Sequence, residues 1–469
     1  MTPIPGPFIV LILPLLAALL VFLLRRWALP AALLSATVSG ALATLCLRLP
    51  LDRSSFVLGQ EVAFGRPVVI LGRNLMLDPA GQAWLGFSFA LAAVLFLVAW
   101  RLSQGQSFFS ISLVVLSLYA LIALLRSLTF STIVLAISAT LVVFMIRGGR
   151  SGPVRGAQRY LAVALLAVPL IMGAVWMVDQ SALEPAKATL ARTALLPAAF
   201  GFGLLLAAIP FSMWLPALTA EAPPLVSAFL LTISQGMAVY LMAAFMAGNP
   251  AVGSVPAVPA TAQLVGLLMA VAGGVMAAAQ RDWGRLLGYA ALSSLGYFLL
   301  AWGTGSSHSL TLALLHMLNR AAAITLMAAA LAILRQRTVS DEFARLRGVA
   351  RRLPVATAGL ALGGLALAGF PFTAGFPTHW AVSRAIVSGE WAWVEVIPAW
   401  SAGLILLIGS AGIAVGVLRG LGAMLGGEPS PAIPNQPRIA SVLVLALAGL
   451  TIVIGFHPQL FLALAEAMF

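Results

Sequence analysis

This chain has little charge. Only 8 % of its 469 residues are Asp, Glu, Lys or Arg, against about 25 % in a soluble domain, while 62 % are apolar and the mean hydropathy is +1.07. That balance excludes a soluble globular protein and calls for an integral membrane one. Acids number 13 against 26 bases. The basic surplus does not read as a nucleic-acid surface, because the arginines sit in short loops between apolar runs rather than on one basic face. Lysine occurs once, at Lys187, in a loop. Cysteine also occurs once, at Cys46 inside an apolar run. A lone cysteine excludes an intrachain disulfide and a cysteine-based metal cluster, and reads as a small packing residue. There is no nucleotide fingerprint, no haem or iron–sulfur ligand set and no Ser–His–acid arrangement, so the chain is expected to bind no cofactor and no metal itself.

What the chain does have is long apolar runs. On a ruler of about 20 residues per membrane crossing, fourteen spans are expected, near 7–24, 28–47, 84–100, 108–125, 128–146, 160–178, 194–216, 224–247, 262–280, 286–303, 310–334, 354–388, 397–418 and 439–456. The first run lacks a basic flank before it and is followed by Arg25 and Arg26, as in an uncleaved first helix with its N-terminus outside. With that orientation 17 of the 26 basic residues fall on the cytoplasmic side, eight fall outside and Arg320 lies within a span. The bias supports an even number of spans, with both termini outside. Two loops are sizeable. Residues 48–83 alternate apolar and polar around Gly59 and Gly65-Arg66-Pro67, which predicts an external β-hairpin. Residues 335–353 carry six arginines and read as a cytoplasmic interfacial segment that contacts anionic lipid.

One pattern occurs twice. Pro210-Phe211-Ser212-Met213-Trp214-Leu215-Pro216 and Pro371-Phe372-Thr373-Ala374-Gly375-Phe376-Pro377 both read P-F-x-x-x-x-P, 161 residues apart, each inside an apolar segment. Proline removes a backbone donor and breaks a helix. Freed backbone groups are tolerated at membrane depth only where protein or a water-lined cavity satisfies them. Paired broken helices in two halves of a chain mark the ion or substrate path of a transporter.

Further motifs follow in order: Ala220-Glu221-Ala222-Pro223-Pro224, then Gln280-Arg281-Asp282-Trp283-Gly284-Arg285 running on to Ser293-Ser294-Leu295-Gly296-Tyr297, then Leu315-His316-Met317-Leu318-Asn319-Arg320-Ala321, then Ala368-Gly369-Phe370-Pro371. Together with the proline pairs, they resemble the antiporter-like membrane subunits of respiratory complex I (NADH:quinone oxidoreductase) and of Mrp-type sodium/proton antiporters. The resemblance implies an all-α membrane fold of about fourteen helices with two inverted five-helix repeats, each holding a broken helix. Here residues 1–107 would hold the N-terminal helices and external loop, 108–247 and 262–420 the repeats, and 421–469 a C-terminal helix. It also implies a prokaryotic inner-membrane location and other membrane-arm subunits as partners, with flavin, iron–sulfur clusters and quinone on those partners.

The family relay uses buried lysines and a glutamate, and this chain departs from it. The fifth span has no acid, with Ala136 or Ser138 near the expected place. Leu205, Gln235 and Ile324 stand where relatives carry lysines, Ser294 where they carry histidine or another polar residue, and His379 at the terminal lysine of the second broken helix. Leucine, isoleucine and glutamine cannot take up and release a proton. The fold is expected to be retained and the relay largely lost.

The polar groups that remain admit two readings each. His316 and Arg320 lie one turn apart on one face, next to Asn319. They are either a surviving relay with a fixed counter-charge, or a helix-bridging histidine and asparagine with an arginine that snorkels to the interface. His379, two residues after Pro377, either exchanges protons through the break or satisfies freed carbonyls there. Glu221 is either a shifted relay acid or an acid at the N-terminus of the eighth span. Arg281, Asp282 and Arg285 read as an interfacial anchor. Three functions stay open: a scaffold subunit of a complex I-like enzyme with a partial proton path, an active proton or cation transporter using His316 and His379, and a subunit of an Mrp antiporter, a membrane-bound hydrogenase or an inorganic-carbon uptake complex.

Overall fold

A computed structural model describes residues 4–57, 59–70, 72–102, 104–148, 154–183, 189–253, 255–305, 308–338, 340–428, 433–460 and 462. Lys187 and Arg150, both part of the charge-based orientation, lie outside the described residues. The apolar runs are helical, because in lipid only a helix or a closed barrel satisfies a backbone internally. Eleven helices among the described residues are long and apolar enough to cross a membrane. They are α1 (Gly6–Leu23), α2 (Ala28–Arg48), α3 (Pro79–Ala99), α5 (Leu128–Arg147), α6 (Arg155–Leu183), the run Pro224–Gly248, α13 (Ala257–Ala278), α14 (Trp283–Gly303), α15 (Ser309–Arg337), α18 (Ala399–Leu425) and α19 (Arg438–Phe456). Shorter apolar helices occupy three of the remaining expected places: α4 (Phe108–Leu124), the run Thr189–Leu205 formed by α7 (Thr189–Thr193) and α8 (Leu195–Leu205), and α16 (Pro354–Leu367). The fourteen expected spans therefore meet eleven helices of spanning length and three shorter ones. Two of the three are short because the proline motifs cut them. The chain is an integral membrane protein.

Both breaks lie where the proline pairs sit. α8 stops at Leu205, and α9 (Trp214–Glu221) starts nine residues later, after a 3₁₀ turn at Phe211–Met213. α16 stops at Leu367, and α17 (Phe376–Val387) resumes at the second motif. The two stops are alike. Each has a left-handed residue, Ala207 at φ 53° and Gly369 at φ 72°. Each is closed by a backbone N–H reaching back five residues, Ala208 to Gly203 at 2.7 Å and Phe370 to Leu365 at 3.0 Å. This is the Schellman way of satisfying orphan carbonyls. Pro216 and Pro377 lie in the first turns of α9 and α17, where a missing N–H costs nothing.

Three runs form the centre: within their most apolar 18 residues, α15 is 94 % buried and α14 and Pro224–Gly248 are each 89 % buried, whereas α6, α18 and α19 are about a third buried or less. The run Pro224–Gly248 is not a uniform α-helix. α10 (Pro224–Phe229) and α11 (Gln235–Gly248) flank one π-helical stretch, Leu230–Ser234, and a single turn, α12 (Pro250–Gly253), follows. α13 packs against α14 and α18 through small residues. A Cβ at Gly409 of α18 would lie 2.7 Å from the Ala270 carbonyl of α13, so glycine permits that crossing.

The loop after α2 forms two hairpins rather than one. β2 (Ser55–Val57) pairs antiparallel with β3 (Gln60–Ala63), and β4 (Val68–Ile70) with β5 (Arg73–Leu75). β1 (Ile4–Pro5) adds to β3 in parallel. The turns pass through Gly59 and Gly72, both at positive φ. The arginine-rich loop is docked rather than flat on the interface. The Phe343 N–H bonds the Arg281 carbonyl at 2.8 Å, and the Trp283 N–H bonds the Asp341 carbonyl at 3.2 Å.

Candidate functional site

The polar side chains of the centre gather along α15. Arg320 is 2 % exposed and does not snorkel, which overturns that reading of it. Its guanidinium crosses to the π-helical stretch and donates to the Leu231 carbonyl, to Gln235 Oε1 at 2.7 Å and to the Ala291 carbonyl of α14 at 3.3 Å. All three acceptors are neutral. Among the described residues no salt bridge joins Arg320 to a carboxylate. Asn319 beside it is fully buried, and neither end of its amide has a hydrogen-bond partner among the described residues. Gln235 and Arg320 come from opposite halves of the chain, so the pair sits on the seam between them.

One turn earlier, His316 bridges α14 and α17. Its Nε2 is 2.8 Å from the Ser294 carbonyl and 3.1 Å from Ser294 Oγ, and its Nδ1 is 2.9 Å from Thr378 Oγ1. A carbonyl can only accept, so Nε2 carries the proton toward Ser294, and Nδ1 of the neutral ring accepts from the Thr378 hydroxyl, whose one proton is shared with the Gly375 carbonyl at 3.1 Å. A neutral ring thus uses both nitrogens. His379 lies 5.3 Å from His316, ring to ring, and stacks on Tyr297 at 3.7 Å. It is 5 % exposed, and neither of its nitrogens has a partner among the described residues, so it does not satisfy carbonyls freed by the break. Gly369 makes room for it: a Cβ there would lie 2.8 Å from His379 Cβ. Tyr297 in turn bonds Ser410 Oγ at 3.0 Å. A cavity of about 930 Å³ reaches this group from between α17 and α18, walled by Trp380, Trp400 and Arg384 and floored by His379, Tyr297 and Ser410.

Of the residues singled out from sequence, the structure brings Gln235, Arg320 and, through His316, Ser294 and His379 into one chain of neighbours. Glu221 stands apart. Its Oε2 accepts the Gly156 N–H at 2.7 Å, so it serves the N-terminus of α6 and not that of the eighth span. Pro210, Pro216, Pro371 and Pro377 shape the breaks and line no part of the Arg320 contact. One group escaped sequence reading, and a second, Arg335, departs from the lipid contact expected of the 335–353 arginines. Gln104, buried in a loop, caps the eighth span by accepting the Leu225 N–H at 3.0 Å. Arg335 at the end of α15 donates to the Thr219, Ala220 and Ala222 carbonyls and to Asp341. Spacing signals neither, because the Leu225 N–H and the three carbonyls that Arg335 takes lie more than 110 residues from their partners; only Asp341 is near in sequence. No group of three or more potential metal ligands occurs among the described residues.

Two broken helices around a buried polar seam define a membrane protein built on a transporter architecture. Residues 82–405 match the family model described as NADH:quinone oxidoreductase/Mrp antiporter, TM, and the chain belongs to that family. It is 29 % identical over 264 residues to NADH-quinone oxidoreductase subunit N of Cereibacter sphaeroides, covering 56 % of this chain and 55 % of the relative. It is 27 % identical over 442 residues to subunit N of Desulforudis audaxviator, covering 83 % and 82 %. The chain thus spans about half the length of the first curated relatives it matches, and more of others. Among solved structures, it superposes on a chain of the Mrp complex from Dietzia sp. with a TM-score of 0.82 at 16 % identity, covering 99 % and 96 %. It superposes on a chain of respiratory complex I from Thermus thermophilus with 0.73 at 22 %, covering 98 % of each. At these identities the likeness is one of fold.

Proposed function

We propose that this chain is a membrane-arm subunit of a complex I-like NADH:quinone oxidoreductase, an antiporter-type fold whose own proton relay is largely lost. One observation carries this reading. Where the family resemblance implies a titrating lysine, Gln235 hydrogen-bonds a buried arginine that has no carboxylate partner among the described residues. A relay lysine works because burial and a neighbouring acid bring it through the working pH range. A guanidinium among neutral acceptors stays cationic, and an amide does not titrate. The chain then acts mainly by holding neighbouring subunits in line. Flavin, iron–sulfur clusters and quinone reside on those partners, in a prokaryotic inner membrane with both termini of this chain outside. Similarity to NADH-quinone oxidoreductase subunit N proteins supports the complex, and structural likeness to chains of an Mrp complex and of respiratory complex I supports the partnership.

A second reading is favoured by the His316–His379 pair and the cavity that reaches it. There the chain conducts protons or cations through histidines, in this complex or in an Mrp antiporter, a hydrogenase or an inorganic-carbon uptake complex. Affinity purification through a tag on this chain, followed by identification of its companions and an NADH-oxidation assay, tests the choice. Co-purified membrane, quinone-site and iron–sulfur subunits are expected, with no NADH oxidation by the chain alone. Isolation as a stable lone monomer with ion-exchange activity would sink the scaffold reading.

A further inference from the structure

Loss of a relay does not by itself make a membrane protein tight. On one side of Arg320, polar groups survive at the inner end of a largely apolar cavity of about 930 Å³: His379, then His316 at 5.3 Å, with Thr378 and Ser294 hydrogen-bonded to His316. On the other side, Gln235 adjoins Ser234, whose hydroxyl accepts from Tyr119 at 2.8 Å and so continues into the first half of the chain. Between the two groups stands one guanidinium, fixed by three acceptors drawn from the eighth span and α14. It is held in place rather than free to swing, and a guanidinium does not hand on protons. At short range in a low-dielectric interior, a fixed cation opposes any second positive charge. An arginine in a pore lining excludes protons and cations on the same ground.

We propose that Arg320 is a seal: a permanent positive charge on the seam between the two halves that bars protons and small cations from crossing a subunit whose polar pathway is only partly dismantled. The proposal rests on the reading that the chain is not itself a conducting path. It adds that tightness is maintained by a placed charge and not merely by missing relay residues.

The test is passive leak without turnover. The complex purified through this chain is reconstituted into vesicles holding a pH-sensitive dye. A potassium diffusion potential is imposed with valinomycin, and inward proton flux is recorded with no NADH present. Wild type is expected to be tight. Arg320→Gln removes the charge and is expected to raise proton flux about tenfold or more. Gln235→Glu keeps the guanidinium and its contact but neutralises it, guarding against a misassembled Arg320 variant; it is expected to leak as well. An assembled Arg320→Gln complex as tight as wild type overturns the seal, and so does a tight Gln235→Glu complex. The parent reading fails on a different measurement, driven pumping lost on replacing His316, so the two failures are distinguishable.

Discussion

Arg335 and Asp341 meet at 2.7 Å where the end of α15 touches the end of α9. The same guanidinium takes the Thr219, Ala220 and Ala222 carbonyls, and Asp341 Oδ2 also accepts the Gly284 N–H at 3.0 Å. One ion pair thus ties the first broken helix, the start of α14 and the end of α15 together. Both side chains are under a fifth exposed, so removing one partner strands the other. Arg335→Ala is expected to cost on the order of 3 kcal/mol. A clear drop in the thermal unfolding midpoint of the purified assembly would show it, and an unchanged midpoint would refute the clamp.

His316→Ala and His379→Ala are each expected to leave driven proton pumping of the parent complex largely intact, with modest rate losses that track assembly. A general acid–base group contributes about 10²–10⁴-fold where proton transfer limits the rate. His316 has both nitrogens engaged by Ser294 and Thr378, as a bridging residue would. A fully assembled complex that stops pumping on either change would show that histidines still conduct here.

The sequence carried the breaks plainly, because proline changes local backbone chemistry wherever it stands. It also carried the shared face of His316 and Arg320, because a four-residue spacing is local. It did not carry where Arg320 points. Its acceptors lie 89, 85 and 29 residues away, and the decisive one, the Leu231 carbonyl, lies in a π-helical stretch with no proline or glycine to announce it. The Tyr297–His379 stack was hidden for the same reason, since it joins α14 to a helix beyond the second break. The contact of Glu221 with α6 is likewise invisible in sequence, because α6 meets α9 only in three dimensions.

Gly409→Val should loosen the α13–α18 crossing. A Cβ at that position meets the Ala270 carbonyl at 2.7 Å, with no flexible side chain to yield. Overpacking of this kind costs about 1–3 kcal/mol. The readout is detergent stability of the assembly; Gly422→Val, which has open space around it, serves as the control and should be silent.

Orientation is checked by thiol labelling in a Cys46→Ala background, since Cys46 is buried and the only native thiol. A cysteine replacing Phe56, 80 % exposed in the hairpin region, should react with an impermeant maleimide from outside intact cells. A cysteine replacing Arg345 should react only after permeabilisation. The reverse pattern would invert the topology.

The π-helical stretch has a consequence of phase. An α-helix turns about 100° per residue, so a stretch wound with one extra residue to its turn sets everything after it at a different angle from a helix that had none. Gln235 is the first residue past Leu230–Ser234. Rewinding all five residues as ordinary α-helix would turn Gln235 by about 100° away from Arg320, whereas removing one of them would let the stretch become α-helical with Gln235 still facing it. The match between the two halves is therefore written in how that stretch is wound as much as in which residues it holds.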